Sequence, residues 1–512
     1  MAFTDQNGIP SEFNSPNYMN VAVRVLKRLV DSVKHVESRI RARTMLQRLG
    51  LSAVLHIHPS TGRWAGPYSR AYRPAVFCEV APEIEMVKDW LTDEILPTWL
   101  NDALTYRPES MQVVETADAE KGVSITTYHS RSFDLGVASQ ELTTQANRFI
   151  ALQSNVFIAH YTSADLDHAG VIFSRYILDD KWVGDFQTTP SRAANRLLPE
   201  EGHFYGVQAR QRMIGLYTPR ELGAWSRCKS AKAVIVWAQR NRVDEIWMGA
   251  QKVDSLPTTV APEQVVVVAS GDIFTAIRPL TRTDLGRNAP LRLIEHDGHL
   301  LLEMYNYLGP AKTFWEQAFP SSFYQGRPQC GFYAEVAERS DYPNAKAFGE
   351  SVASGMFSDV AEPPITYEPG KERLWQIEYT CDGQTLGIEV DLMEWKLKRR
   401  WTQHGALGFP MLESPMARQT RTGKVTVGDA TLTCGEDAAW LLACPAHHRW
   451  VAVYHGPKAA PLTLTVPDGK VELEAISTGT VVWDNGIVTV DAVGFQGHPK
   501  IVGGRLHPNT GP

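Results

Sequence analysis

The sequence lacks the features that mark several large classes of protein. No apolar run reaches the ~18–20 residues that a membrane-spanning helix needs. The N-terminus, Met1–Pro16, has neither the basic start nor the apolar stretch of a secretory signal. Lys and Arg number 51 against 57 Asp and Glu, so there is no basic excess of the kind that duplex nucleic-acid binders carry. We expect a cytoplasmic chain, or a secreted one whose signal was removed, with no membrane and no nucleic-acid partner.

Motifs that hold cofactors or metals are also missing. The sequence contains no G-x-G-x-x-G, no G-x-x-x-x-G-K-[ST] and no H-E-x-x-H, which excludes the usual dinucleotide, P-loop and zincin signatures. The six cysteines form no C-x-x-C pair, so structural zinc and a redox dithiol are disfavoured. His56 and His58 lie two residues apart with no carboxylate cluster nearby. The sequence therefore predicts neither a cofactor nor a metal.

Helical periodicity dominates the first part of the chain. Ser15-Pro16 has the pattern of a helix start, and Val21, Val25 and Leu29 recur on one predicted face. A second helix is predicted from about Val36 to Leu55 and a third over Pro82–Trp90. At 512 residues and 43% hydrophobic composition, the chain is long enough for about two to four domains.

Short β-rich segments replace the helices after about Val113. Gly and Pro punctuate them, and Asp297-Gly298 between two apolar runs predicts a hairpin. A single helix is predicted inside this region, from about Asn344 to Met356. The predicted fold class is α+β and multidomain. It comprises an α-helical domain at 1–112, a large antiparallel β-sandwich at 113–420 and a small C-terminal β domain at 421–512.

Polar and aromatic residues concentrate on loops of the helical region. Tyr and Trp rings can stack on sugars, and an Arg guanidinium can bind a carboxylate through two N–H groups. These loops therefore predict a cleft for a carbohydrate or a polyanion. The alternative is that Trp64, Tyr68 and Tyr72 pack the loop against the β region while the arginines are solvated. The predicted substrate-binding residues here are Glu12, Asn14, Tyr18, His58, Arg63, Trp64 and Arg70.

A second cluster, Thr127–Gly136, lies at the entry to the β region. Tyr128 and His129 would point to opposite sides of a strand, and a His beside Tyr and Arg131 could carry acid–base chemistry near neutral pH. The alternative is a core Tyr128 with Arg131 paired to Asp134. Arg131 and His203, the latter between two glycines, are further predicted substrate-binding residues.

Three stretches resemble the heparinase II/III-like and alginate-lyase-like polysaccharide lyases. They are EFNSPNY (Glu12–Tyr18), HIHPSTGRWAGPYSRAY (His56–Tyr72) and TYHSRSFDLG (Thr127–Gly136). The resemblance implies an (α/α) toroid joined to a β-sandwich, with β-elimination at a uronate. The helical region here would be a shortened toroid.

The same resemblance implies roles for individual residues. Asn14, supported by Arg70, would neutralise the uronate carboxylate. Tyr68 or Tyr72 would be the tyrosine from the toroid side, and His129 the histidine from the β side. With Tyr128, these are the predicted catalytic residues. The physical logic is that a proton next to a carboxylate becomes removable only when the carboxylate charge is neutralised.

The leading hypothesis is a lyase that cleaves a uronate-containing oligosaccharide or polysaccharide. Three alternatives stay open at this stage. One is an intracellular cyclase or isomerase of a small biosynthetic intermediate. Another is a glycoside hydrolase using Glu12 with Asp134 or Asp185, and the last is a non-catalytic carbohydrate-binding protein. The predicted partner is a carbohydrate or another small molecule, and the sequence does not predict an oligomeric state.

Overall fold

The structure is a computed structural model that describes most of the chain. The described residues are 2–141, 153–163, 168–182, 200–220, 227–286, 288–313, 316, 326–364, 371–495 and 498–508. Strands hold 49% of the described residues and helices 18%. The protein is therefore mostly β. The predicted α+β class with a toroid-like helical domain is wrong.

Seven α-helices occur among the described residues. Their bounds are α1 Ala2–Asn7, α2 Pro16–Ser32, α3 Val36–His56, α4 Arg73–Val76, α5 Glu83–Thr92, α6 Leu100–Thr105 and α7 Ala345–Ser354.

The first half of the strands precedes α7 in the chain. Their bounds are β1 Met111–Asp118, β2 Val123–His129, β3 Phe133–Ala138, β4 Phe157–Tyr161, β5 Gly170–Leu178, β6 Gly202–Ala209, β7 Arg212–Pro219, β8 Arg227–Trp237, β9 Val243–Met248, β10 Gln251–Lys252, β11 Thr258–Thr259, β12 Val266–Ser270, β13 Ile273–Pro279, β14 Leu291–His296, β15 His299–Thr313 and β16 Cys330–Glu338.

The remaining strands follow α7. Their bounds are β17 Met356–Glu362, β18 Leu374–Cys381, β19 Gln384–Asp391, β20 Lys396–Thr402, β21 Gly405–Ala406, β22 Leu412–Glu413, β23 Ala417–Thr420, β24 Lys424–Val427, β25 Ala430–Thr433, β26 Ala438–Cys444, β27 Arg449–Val466, β28 Gly469–Asp484, β29 Ile487–Val493, β30 Lys500–Val502 and β31 Arg505–Leu506.

The chain forms two compact units, each assembled from separate segments. Unit 1 comprises Met1–Trp64, Pro82–Ser124 and Phe409–Pro512, and unit 2 comprises Ala65–Ala81 and Ile125–Gly408. Neither unit is one continuous stretch of the chain. The three consecutive domains predicted from the sequence, with bounds at 112 and 420, stay a prediction.

Unit 1 is built on an antiparallel ladder that runs β1-β22-β23-β26-β27-β28-β29. The long strands β27 and β28 bend, and β25 pairs with the second half of β27 to close a separate apolar core. Helix α3 packs on this sheet, where Thr480 in β28 donates a 2.7 Å hydrogen bond to Gln47 in α3. The helices of unit 1 thus cover a sheet, which is why they do not build the predicted toroid.

Unit 2 consists of three antiparallel sheets. The first runs β2-β3-β4-β5-β8-β15-β14-β11 and the second β10-β9-β12-β13-β16-β7-β6. The third, β17-β18-β19-β20-β21, packs on the second around Tyr333 and Tyr379, whose ring centroids are 4.3 Å apart. Phe157 of the first sheet and Phe332 of the second pack edge to face. Because the second sheet is covered on both faces, its central strands are continuously apolar.

Several local predictions are confirmed. Helix α3 and helix α5 match the predicted second and third helices, and α7 begins after Asn344, whose side chain accepts the Ala347 N–H. The predicted hairpin joins β14 to β15. Both of its turn residues, Asp297 and Gly298, have positive φ, as a tight two-residue turn requires.

The predicted apolar face of the first helix is not its buried face. Val21, Val25 and Leu29 are 58%, 50% and 44% exposed in α2, whereas Met19 and Val23 are buried. The apolar arc of α2 is wider than the part that the rest of unit 1 covers, so periodicity alone could not identify the buried part. Among the residues that the structure describes, no helix is long and apolar enough to cross a membrane.

Candidate functional site

The site residues predicted in unit 1 are mostly packed inside it. The Trp64 indole N–H donates to the Asn14 side-chain oxygen, and both side chains are buried. The Trp64 backbone N–H donates to Glu83 at 3.2 Å, and Arg63 pairs with the same carboxylate at 3.5 Å. These contacts fold the loop that follows α3 onto the start of α5.

His58, Glu12 and Tyr18 complete the predicted set in unit 1. The buried His58 has its Nδ1 2.9 Å from the Thr61 hydroxyl, within its own turn. Glu12 and Tyr18 are partly exposed. Asn14 adopts a positive φ of 49°, a region where asparagine is tolerated better than most residues. Of the predicted residues in unit 1, only Glu12 and Tyr18 therefore reach solvent.

In unit 2, the segment Ala65–Ala81 lies directly on the first sheet. The Gly66 carbonyl accepts a 2.6 Å hydrogen bond from the Thr127 hydroxyl of β2. Gly136 of β3 approaches so closely that a Cβ there would lie 1.9 Å from the same carbonyl oxygen. Tyr68 and Asn155 exchange two backbone hydrogen bonds of 2.9 Å, which extends the contact to the residues before β4. This anchoring determines where Tyr68, Arg70 and Tyr72 lie.

Tyr68 packs beside a buried ion pair. Its ring centroid is 6.4 Å from that of His160, whose Nδ1 lies 3.0 Å from an Asp134 carboxylate oxygen. All three side chains are buried, and both Asp134 carboxylate oxygens lie within 3.2 Å of His160 Nδ1. Asp185, the other acid considered for a hydrolase, lies outside the described residues.

Arg70 and Tyr72 form the exposed end of the same segment. Arg70 donates from Nε to the Gln153 side-chain oxygen at 2.8 Å and from Nη2 to the Tyr72 hydroxyl oxygen at 3.3 Å. Both side chains are partly exposed. Because the Tyr72 oxygen accepts from Arg70, this bond does not use the phenolic hydrogen. The pair presents a guanidinium and a phenol together.

The cluster at Tyr128 and His129 is buried. The His129 side chain, in β2, is buried. Tyr128 packs against Phe133, and the guanidinium carbon of Arg210 lies 5.5 Å from the centre of the Tyr128 ring. The exposed Arg131 donates to the Ser340 hydroxyl at 2.7 Å. Arg131 also lies 3.9 Å from the Glu338 carboxylate. Tyr128 thus packs as the alternative interpretation expected.

His203 is the predicted histidine that reaches solvent. Its side chain is 33% exposed, at the start of β6, and its Nδ1 lies 2.5 Å from a Glu141 oxygen. The other Glu141 oxygen accepts the Phe204 backbone N–H at 3.0 Å, and Arg220 lies 3.7 Å from the carboxylate. Burial alone would raise the pKa of Glu141, but the bond to His203 and the charge of Arg220 lower it. An ionised carboxylate that holds Nδ1 leaves Nε2 as the ring nitrogen that can face a substrate.

A buried triad of Asn155, Arg175 and Glu200 lies between these two exposed groups. Arg175 donates to the Asn155 side-chain oxygen at 2.5 Å, and Asn155 in turn pairs with Tyr68. Glu200 accepts the backbone N–H groups of Tyr176 and Gly202, each at 3.0 Å. Burial raises the pKa of Glu200 to about 7, although the charge of Arg175 lowers it. Tyr176, whose N–H Glu200 accepts, follows Arg175 in β5, so the triad links the segment that carries Tyr72 to the strand that carries His203 through β5.

The structure brings together only part of the predicted set. Arg70, Tyr72 and His203 join residues that sequence reasoning missed, and we name this group the candidate site: Arg70, Tyr72, Gln153, Glu141, His203 and Arg220. Asn14 belongs to unit 1, and His129 is buried. Among the described residues, no group of three or more His, Cys, Asp and Glu could hold a metal ion.

The missed residues carry little local signal. Gln153 sits in a stretch that gives no motif, and Arg175 lies inside a strand that is otherwise apolar. Such a charge within an apolar strand is the one available indication, because a buried arginine requires a partner. Glu200 and Glu141 become recognisable only after their strands are paired.

A scan against models of protein families finds no match for this chain, and a search of curated proteins finds no relative. The resemblance to the heparinase II/III-like lyases therefore rests on the three quoted stretches alone. Of the roles that it implies, those of Arg70 and Tyr72 fall within the candidate site.

Proposed function

We propose that this protein is a lyase that cleaves a uronate-containing oligosaccharide or polysaccharide by β-elimination. His203 would act as the base and Tyr72 as the acid. The observation that carries the proposal is that a partly exposed Arg–Tyr pair and a partly exposed histidine, held by the buried Glu141, are linked through one buried triad in unit 2. His203 takes the place that the resemblance implied for His129, because His129 is buried.

The chemistry follows from the donors and acceptors present. The Arg70 guanidinium pairs with the uronate carboxylate and withdraws charge from it, which makes the C5 proton removable. His203 Nε2 takes that proton while Glu141 stabilises the charged imidazole. The C5–H electrons form the C4–C5 double bond, and the C4–O4 bond breaks. The Tyr72 hydroxyl then gives its proton to the departing O4.

The charge pattern of the candidate site supports an anionic substrate. Arg70 and Arg220 are both partly exposed, whereas Glu141 and Glu200 are buried. A substrate approaching the site therefore meets cations, while the acids stay beneath them. This arrangement favours a polyanion over a neutral sugar.

Turnover of a panel of uronate-containing oligosaccharides tests the proposal. β-Elimination adds no water to the two products and creates absorbance near the ultraviolet edge, whereas hydrolysis adds one water and no double bond. We expect Tyr72→Phe and His203→Gln each to lower kcat by roughly 10²–10⁴-fold, the usual contribution of acid–base catalysis. Absorbance and product mass would both be recorded.

A matched control is Tyr106→Phe, at a tyrosine that is 53% exposed in unit 1. It should leave turnover unchanged. Products that carry an added water, or full activity in both site variants, would contradict the proposed mechanism.

A further inference from the structure

Glu200 is a buried acid that the proposed reaction does not use. Its carboxylate accepts three hydrogen bonds, from the Tyr176 and Gly202 backbone N–H groups at 3.0 Å and from the Tyr217 hydroxyl at 3.3 Å. Every one of these contacts treats Glu200 as an acceptor, so together they favour the ionised form. Gly202 is the first residue of β6, and His203 follows it immediately.

Arg175 is the buried counter-charge of Glu200. Besides Asn155, its guanidinium donates to the Ser174 carbonyl at 2.8 Å, and neither acceptor carries a charge. Burial lowers the pKa of Arg175, whereas the charge of Glu200 raises it. A buried guanidinium needs a compensating charge, and the Tyr176 N–H that Glu200 accepts belongs to the residue that follows Arg175 in β5.

The two ends of the triad hold the two halves of the candidate site. At one end, Glu200 fixes the start of β6 and hence His203, and Arg220 donates to the Gly202 carbonyl at 2.9 Å. At the other end, Asn155 pairs with Tyr68, two residues before Arg70. No atom of the triad belongs to the candidate site itself, so its effect is exerted through position.

We infer that Glu200, acting with Arg175 and Asn155, is a positioning residue that keeps His203 in register with the Arg70–Tyr72 pair. The inference rests on the proposed function for its catalytic consequence, but its structural part can be measured without turnover. Ionised Glu200 holds β6 in place, and neutral Glu200 loosens the start of that strand.

The titration of Glu200 supplies a way to test this. Burial raises the pKa of Glu200 to about 7. The charged and titratable groups that face it are Arg175 and Tyr176 from β5, Tyr217 from β7, Arg220 beyond β7 and Cys330 from β16. Burial raises the pKa of both Tyr176 and Tyr217 well above the usual value, and that of Cys330 to about 12. Glu200 is thus the member of this group that changes charge near neutral pH.

The experiment measures how fast diethyl pyrocarbonate modifies His203, relative to the exposed His404 in the same molecule, by mass spectrometry across pH 5.5–8.5. Because the reagent attacks only the neutral imidazole, each rate is divided by the neutral fraction of that histidine, measured by NMR at the same pH. We expect the His203/His404 ratio to rise by about threefold or more as pH falls through about 7, because a local opening depends on single contacts. Glu200→Gln mimics the neutral acid and should give the high ratio at every pH. Tyr217→Phe removes one hydrogen-bond donor to the Glu200 carboxylate, so the step at which the His203/His404 ratio rises should move to higher pH.

The matched control is Glu335→Gln, at another buried acid of unit 2 that pairs with Arg212 at 3.0 Å. This variant also loses a buried ion pair. Its His203/His404 ratio should nevertheless rise at the same pH as in the wild type. If Glu200→Gln does not fold, Tyr217→Phe still tests the inference through the position of the step. A ratio that is flat in the wild type, or a step unmoved by both Glu200→Gln and Tyr217→Phe, overturns the inference.

Activity separates this inference from the proposed function. If uronate substrates turn over, Glu200→Gln should lower kcat with little change in KM and remove an acid limb near pH 7 from the kcat profile. A kcat that is the same in wild type and Glu200→Gln at every pH would overturn the positioning role. A pH-dependent labelling ratio without any uronate turnover would support the positioning of His203 and count against the lyase.

Discussion

At the scale of single residues, the most consequential buried pair outside the candidate site is His160 with Asp134. Burial alone would lower the pKa of His160, but the charge of Asp134 and, after it, that of Cys78 raise it to about 10. An imidazole in this position stays charged through neutral pH. It supports Tyr68, whose backbone anchors the segment that carries Arg70 and Tyr72.

The pH dependence of stability follows from the direction of this shift. The folded pKa of His160 lies above the unfolded value, so its contribution is fully present below about pH 6.5 and is lost as pH rises through about 10. We expect Asp134→Asn to lower the free energy of unfolding at pH 7 by roughly 3–5 kcal/mol, the usual cost of breaking a buried pair.

Urea unfolding between pH 6 and 10 measures this prediction. The wild type should lose stability towards pH 10, and Asp134→Asn should lose much less over the same range. An equal decline in both proteins would mean that His160 does not carry the effect.

At the scale of elements, the anchoring of the segment Ala65–Ala81 depends on a glycine. A Cβ on Gly136 would meet the backbone of Gly66 and Pro67 at 1.9–2.5 Å, and backbone atoms cannot move aside as the end of a flexible side chain can. The segment would have to lift off β3 or the strand would have to bend.

We expect Gly136→Ala to destabilise the protein by about 1–3 kcal/mol, the range for overpacking a well-packed site. Turnover would be lost along with the position of Tyr72. The control is Gly408→Ala, since no atom lies within 4 Å of a Cβ there. Thermal unfolding and kcat would be compared for the two variants. Equal effects in both would show that the approach of Gly66 to Gly136 does not hold the segment.

Secondary structure was predictable at this scale because it depends on near neighbours. The hairpin at Asp297-Gly298 and the helix after Asn344 were both correct, since a turn or a cap is specified by two or three residues. The buried face of α2 was not predictable. Val21 and Val25 look like core residues in the sequence, and their exposure depends on what unit 1 packs against the helix.

At the scale of the whole molecule, each unit has its own apolar core and its own buried charge network. In unit 1, Glu115 accepts hydrogen bonds from Arg48 and Ser52, both at 2.7 Å, and lies 2.9 Å from His56. Burial alone would raise the pKa of Glu115, but Arg48 and His56 lower it to about 2. Stability from this carboxylate is present above its unfolded pKa near 4.5 and is lost as pH falls towards 2.

A substitution in the buried charge network of one unit should change the stability of that unit alone. We expect Glu115→Gln to leave Arg48 without its charged partner and to lower the melting temperature of unit 1, with little change in unit 2. Differential scanning calorimetry would show one of two transitions moving, and Asp134→Asn would move the other. A single transition that both variants shift equally would mean that the two units unfold together.

The sequence alone determined the local elements and the absence of the common cofactor motifs. It did not determine the fold class, because α2 and α3 read as the start of a helical domain, whereas α3 packs on a sheet from the far end of the chain.

Only the tertiary structure decided which residues meet. It buried His129, exposed His203 beside Glu141, and placed Asn155, Arg175 and Glu200 between the two exposed pairs. The physical reason is that pattern and turn chemistry act over a few residues, whereas burial and charge pairing depend on strands that are far apart in sequence. A histidine's neighbours along the chain do not specify its neighbours across a sheet.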